Sequence, residues 1–310
     1  MVDIGSYLVG RETGTWPSAS TPAMDMLYAA VRKDGETLEG MEFEHCTFAN
    51  VGFKTVVLRQ CRFTNCAFLN CYFRKCEMMG TAFIGCKFIG CDFPHATVQS
   101  CDFKYSRFEE CSIPFAEMEH SLPREPNLRE DLSHILSIAS DGLGLCSDGR
   151  KYRLAAIQAK EEHLKAAILG NSDWYQRHYT GLRKLKALVQ YVASRMNGIV
   201  WGHGEKWHVL IGNLLVLAVA VFPAALWIAQ DRFQQPANQL GVKDLIWLSV
   251  TTIIPVDGAV SVAATDWVIR TILTFEALVG VVSAGLLVVC PNSFGINIGN
   301  LKSSCCRFIL

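Results

Sequence analysis

The sequence predicts a chain in two parts, a repeat-built soluble body and an α-helical membrane part. Three observations predict it. Cysteines recur on a five-residue phase from Cys46 to Cys111. Two apolar runs, Val209–Ile228 and Thr271–Cys290, are each long enough, at about 1.5 Å per residue, to cross a hydrocarbon core of about 30 Å. Between them stands a short apolar stretch, 245–252, followed by an irregular segment holding Pro255 and Gly258.

Bulk composition agrees with this division. The chain has 310 residues, enough for two or three domains, and half of them are apolar. Mean hydropathy is +0.21, high for a wholly soluble protein. Lys+Arg and Asp+Glu balance at 29 each, so no basic excess points to nucleic acid. Residues 1–22 lack the apolar core of a secretory signal, which predicts a cytosolic N-terminal body.

Residues 1–35 read as a flexible lead-in with Pro17 and Pro22 as breakers, then a short helix from Pro22 to Arg32 that caps the open edge of the repeat. The repeat occupies 36–118. Its cysteines are Cys46, Cys61, Cys66, Cys71, Cys76, Cys86, Cys91, Cys101 and Cys111. Val51, Val56, Thr81, Ala96 and Ser106 fill gaps in the same phase. Two residues after each comes a large apolar side chain, such as Phe48, Phe63, Phe68, Met78 or Ile113. Neither the helical nor the strand period explains this spacing. Thirteen cysteines in all invite a metal or disulfide reading, but one cysteine every five residues is not the paired spacing of zinc modules. Buried, inert core thiols are the expectation.

These residues resemble the pentapeptide-repeat family, with cysteine in the position usually held by alanine. The resemblance implies a right-handed quadrilateral parallel β-helix, one pentapeptide per side. Large residues would point inward and stack on their copies 20 residues away, with the small residues at the corners. About sixteen repeats would make about four coils, a rod of about 20 Å at about 4.8 Å per coil. Some members are acidic mimics of DNA. Lys54, Arg59, Arg62, Arg74, Lys75, Lys87, Lys104 and Arg107 speak against that role here and leave a rigid scaffold or a surface for a protein partner.

Residues 119–206 read as a helical connector. Pro123 and Pro126 end the repeat, and a helix starts near Asn127. The glycines of 141–149 break it. Lys151–Leu169 is amphipathic, with Leu154, Ile157, Leu164 and Ile168 on one side. Trp174–Met196 is predicted as one further helix, whose Arg177, Arg183, Lys184, Lys186 and Arg195 would form a collar against anionic headgroups.

Residues 207–290 read as the membrane part, with Trp201, Trp207 and Trp227 near the ends of the first span. Here the sequence resembles the two-transmembrane potassium-channel superfamily, through the half-helix 247–252 and Arg270, Glu276 and Gly280 of the second span. The resemblance implies a re-entrant pore helix and a homotetramer whose second spans line a pore. It makes Gly280 an inner-helix hinge and sets Glu276 behind the filter as a brace; Gly285 is a second hinge candidate. The family's Thr-Val-Gly-Tyr-Gly filter is missing. Two registers stand open: one places 255–260 on the filter, the other 252–257. The candidate pore residues are therefore Thr251, Thr252, Ile253, Ile254, Pro255, Val256, Asp257 and Gly258. Neither register supplies two glycines for a carbonyl ladder, which predicts weak selectivity. Four copies of Asp257 would draw monovalent cations to the outer mouth. Ile253, Ile254 and Val256 would make a dry constriction, while the threonine hydroxyls would help dehydrate an ion.

The tail 291–310 carries Lys302 and Arg307, which with the basic connector predicts both termini in the cytosol and a multi-pass protein of the plasma (inner) membrane. The expected function is a tetrameric cation channel with a cytosolic repeat domain; the alternative is a non-conducting, membrane-anchored scaffold. No nucleophile–base set, phosphate loop or metal motif suggests an enzyme, and no cofactor is expected.

Overall fold

Every fifth residue from Asp25 to Glu110 has positive φ, between 51° and 75°. That conformation turns the chain through a corner, and it is costly for most residues with a Cβ. Glycine holds it at 35, 40, 80, 85 and 90, and asparagine, a tolerated substitute, at 50, 65 and 70. Between corners lie strands of two or three residues. In the computed structural model, which describes residues 12–14, 16–17, 21–229, 241–254 and 266–289, they form a four-sided parallel β-helix of about four turns.

Each side pairs residues 20 apart. One sheet runs through β2 (Leu27–Ala29), β5 (Thr47–Ala49), β8 (Ala67–Leu69), β11 (Lys87–Ile89) and β13 (Arg107–Glu109). In it Phe48 pairs with Phe68 and Phe68 with Phe88. A second sheet holds β1 (Ala23–Met24), β4 (Glu42–Glu44), β7 (Arg62–Thr64) and β10 (Ala82–Ile84). A third holds β3 (Thr37–Glu39), β6 (Val57–Arg59), β9 (Glu77–Met79) and β12 (Thr97–Gln99). The fourth side is a row of single bridges, Arg32 to Gly52 to Tyr72 to Asp92 to Ser112.

The large residues stack inside as the phase predicts. Phe48, Phe68, Phe88 and Phe108 lie 4.7–4.8 Å apart between successive ring centres and nearly parallel. Phe43, Phe63, Phe83 and Phe103 form a second column, and Phe53, Phe73 and Phe93 a third. The fourth column is aliphatic: Leu38, Leu58, Met78 and Val98. Identical rings in register convert one favourable packing into a repeated one.

The helix expected over Pro22–Arg32 does not form; those residues make the first coil, with β1 and β2. Met24, Leu27, Tyr28 and Val31 have helical spacing, but Ala23 and Tyr28 also occupy the large position of the repeat, and pairing with β4 and β5 wins. The phase was hidden because Lys33 takes a large position and Glu36 a small one. The open end is capped instead by Trp16, whose ring meets Tyr28 at 5.0 Å and Phe43 at 5.5 Å. Lys33 lies over that ring and pairs with Glu36 at 3.0 Å.

At the other end the core continues into helices. Met118 of α1 (Phe115–Met118), Leu132 and Leu136 of α2 (Pro126–Gly142) and Tyr152 of α3 (Cys146–Leu169) join the aromatic columns. The Tyr152 hydroxyl donates to the Ile113 carbonyl at 3.1 Å. Ion pairs Arg129–Glu162 and Arg153–Asp141 link α2 to α3 and the ends of the turn between them. The single helix predicted from Trp174 to Met196 is two: α4 (Asp173–His178) and α5 (Leu182–Trp201). Gly181, at φ +51°, lies in the break between them.

The remaining described elements are α6 (Trp207–Val216), a π-helical turn (Leu217–Val221), α7 (Phe222–Ile228), α8 (Val242–Ile253) and α9 (Trp267–Val289). The chain divides into two compact units, the second starting at Val192.

Candidate functional site

Two helical stretches, His208–Ile228 and Trp267–Leu286, are long and apolar enough to cross a membrane. Their apolar windows are only 28% and 22% buried, unlike core helices of a soluble protein. The first is not a plain α-helix. Pro223 has no N–H to offer the preceding turn. The π-helical turn just before it re-routes the ladder, with the Phe222 N–H reaching the Leu217 carbonyl.

Between these stretches α8 is 12 residues long, and Asp244 accepts the Gly241 N–H at its start at 3.0 Å. Leu245 and Leu248 pack with Leu226 and Ile269, and Ile253 packs with Ala218 and Phe222. So α8 is held by both candidate spans. Near its end the hydroxyls bond within the helix: Thr251 donates to the Trp247 carbonyl at 2.9 Å, and Thr252 to that of Leu248 at 2.8 Å.

One polar contact ties α8 to α9. The Ser249 hydroxyl donates to Oε1 of Glu276, and both residues are fully buried. Oε2 of Glu276 is buried with no hydrogen-bond partner among the described residues. Such an orphaned oxygen in an apolar setting calls for a partner. Four residues on, Gly280 lies against the end of α8: a Cβ there would overlap the carbonyl of Ile253. Gly280 is thus required by close approach. Helix α9 runs unbroken through Gly280 and Gly285, and a Cβ at Gly285 would meet nothing within 4 Å.

Of the residues expected in the pore, Thr251 and Ile253 are buried in the packing and Ile254 is 56% exposed. Pro255, Val256, Asp257 and Gly258 lie outside the described residues. Sequence patterning missed Ser249. Its one signal was a hydroxyl on an apolar stretch, which needs a partner when buried.

The cysteine ladder is a hydrogen-bonding device as well as a filler. Cys66, Cys71, Cys86, Cys91 and Cys111 each donate to the carbonyl of the large residue 23 positions earlier, at 3.3–3.4 Å. Thr81 and Ser106 do the same, to Leu58 at 3.3 Å and Phe83 at 2.6 Å. Cysteine, serine and threonine therefore exchange because each brings a small donor to the corner. All nine ladder thiols are free and buried. Burial pushes Cys76 up to about 12 and Cys101 up to about 11 from an ordinary value of 9.0. Neutral buried thiols are poor nucleophiles.

Comparison with known proteins matches part of the chain to a repeat family. A model for pentapeptide repeats matches residues 57–94 and 76–113, with eight copies. No curated protein matches the chain. Among solved structures, HetL, a pentapeptide repeat protein involved in heterocyst differentiation regulation in the cyanobacterium Nostoc sp., is 9% identical; the match covers 36% of this chain and 47% of that one, with TM-score 0.19. The plasmid-mediated fluoroquinolone resistance protein QnrB1 is 16% identical over 29% of this chain and 63% of its own, with TM-score 0.18. A pentapeptide repeat protein of the Arabidopsis thaliana thylakoid lumen is 17% identical over 40% and 83%, with TM-score 0.14. The chain thus spans about half the length of the HetL structure and under two thirds of QnrB1. The family match rests on the repeats themselves: residues 57–113 are pentapeptide repeats, within the β-helix that starts at Ala23.

Proposed function

We propose that the chain is one subunit of a homotetrameric cation channel in the plasma (inner) membrane, with its pentapeptide-repeat β-helix and both termini in the cytosol. The observation that carries this reading is the seat of α8. A 12-residue helix lies between two candidate spans, packs on both, and ends where Gly280 lets α9 reach the Ile253 carbonyl. A helix of this length is too short to span, and non-helical backbone at membrane depth is tolerated only when buried in protein or lining water, which is the place this reading gives the Pro/Gly segment that follows. The C-terminal end of α8 carries partial negative charge, which favours a cation. In this reading α8 is a re-entrant pore helix, and Thr252 and the residues from Ile254 to Gly258 line the narrow path, with Thr251 and Ile253 packed behind it. Four Asp257 carboxylates gather monovalent cations at the mouth. The free oxygen of Glu276 braces the backbone beyond Ile254. Without a carbonyl ladder of the usual kind, discrimination between Na⁺ and K⁺ is weak.

The test is a bilayer recording of purified, mass-verified tetramers in asymmetric KCl, repeated with Na⁺ in place of K⁺. A reversal potential on the cation side with little Na⁺/K⁺ discrimination is expected. Asp257→Asn should lower unitary conductance at low salt; unchanged conductance removes Asp257 from the path. A second reading, a membrane-anchored scaffold that does not conduct, is favoured by the missing filter and by a family match confined to the β-helix. Silence from verified tetramers at all voltages supports it.

A further inference from the structure

Helix α5 carries a second apolar face that the described residues leave open. Ala187 is buried against Leu164 and Ala167, with Tyr191 beside it, so that side of α5 packs on α3. On the opposite side stand Leu182, Leu185, Val189, Val192, Met196 and Ile199, all between 50% and 83% exposed. Their spacing is three, four, three, four, three. That is the alternation of a and d positions in a heptad, kept over the whole helix, and it marks a seam built for other helices.

The flanking positions say what kind of helix fits. Take Leu182, Val189 and Met196 as a. The g positions are then Gly181, Leu188 and Arg195, and the e positions Lys186, Ala193 and Val200. In a parallel assembly of identical helices, each g residue meets the e residue five places on in its neighbour. The pairs are Gly181 with Lys186, Leu188 with Ala193, and Arg195 with Val200. No two like charges face each other. Apolar residues at one g and two e positions widen the seam to the face of a bundle helix. Leu188 and Val200 are themselves exposed.

We infer that α5 is a self-association helix, whose occupant is the α5 of other copies of this chain, packed in parallel. Only residues 202–207 separate α5 from the first candidate span, and copies inserted in one membrane share an orientation, so their α5 helices enter the contact side by side. The pairing chemistry stands on the heptad; a count of four copies rests on the channel reading above. Arg183 and Lys184 fall at b and c, outside the seam.

Same-residue cross-linking in the full-length chain in native membranes tests this. Leu185→Cys and Ile199→Cys lie at d positions near opposite ends of α5; Gln190→Cys and Ser194→Cys lie off the seam. Copper–phenanthroline oxidation should give several-fold more covalent dimer at both d positions than at either control, with the unsubstituted chain as the blank. Disulfides join only close, well-aimed pairs, and two like positions at both ends of a helix meet only in a parallel arrangement. Equal yields at all four positions overturn the inference. So does the absence of dimer at the d positions, or quenching of a fluorophore on Ile199→Cys by a lipid-borne quencher, which would make the occupant the bilayer. Seam-specific dimers from a silent preparation leave the inference standing and sink the channel; currents without seam-specific dimers do the reverse.

Discussion

The β-helix and the helices after it solve the same problem, buried polar backbone and apolar side chains, in opposite ways. In the β-helix a residue's partners are its own copies 20 positions away. Phase alone assigns each residue to core, corner donor or left-handed turn. In the second unit each contact occurs once: Ser249 with Glu276, Gly280 with the carbonyl of Ile253, Pro223 with its π-helical turn. A repeat spreads a defect over equivalent neighbours, whereas a unique contact has no substitute. The repeat therefore tolerates Cys, Ser and Thr in one role, while the second unit depends on single residues.

Three substitutions, taken from the largest effect to the smallest, and one change of condition sharpen that contrast. Phe68→Ala opens a void between Phe48 and Phe88 at the middle of a column and should cost about 3–5 kcal/mol in a denaturant titration. A loss below about 1 kcal/mol would mean that the column collapses around the gap. Gly280→Val drives a branched side chain into the end of α8 and should lower stability in detergent by about 1–3 kcal/mol. Gly285→Val, with open space around it, should be near neutral, and equal effects at the two sites would refute the close approach.

Alkaline pH tests the corner thiols without any substitution. The folded thiols of Cys76 and Cys101 hold their protons above the ordinary value of 9.0. Their contribution is fully present below pH 9 and is lost as pH rises toward about 11–12. The slope is up to about 1.4 kcal/mol per thiol per pH unit. Unfolding midpoints of the β-helix should fall between pH 9 and 11, and Cys76→Ser should reduce the fall. Last, Gly40→Ala forces a Cβ onto a corner at φ +63°, in open space. The cost should be about 1 kcal/mol, and smaller for Gly40→Asn.

Much of the β-helix was legible because its rule is local and repeated. Phe48, Phe68 and Phe88 announce one another. The signal failed at Lys33 and Glu36, where cap chemistry broke the phase and the helical spacing of Met24, Leu27, Tyr28 and Val31 misled. The corners went unread: only backbone dihedrals show that Gly35, Gly40, Asn65 and Asn70, and with them Thr55 and Lys75, take the left-handed conformation. In the second unit Glu276 stood out as an acid in an apolar run, yet its partner lies 27 residues away with no pattern to connect them. Gly280 was legible as a special residue and not as a close approach, because the carbonyl it admits belongs to another element. The same limit applies to α5, whose heptad was in the sequence but was masked by its cations until the structure showed which face α3 covers.

By itself, then, the sequence determined the five-residue coil, the aromatic columns and the two apolar stretches, since each comes from periodic burial or from length against a bilayer. Only the tertiary structure decided that Trp16 caps the stack, that the ladder thiols donate to carbonyls one coil back, and that Ser249 meets Glu276 beneath Gly280. The Trp16 and Ser249 contacts join residues whose separation in the chain has no period, and the thiol bonds, though each spans 23 residues, form only because the path of the backbone brings donor to carbonyl.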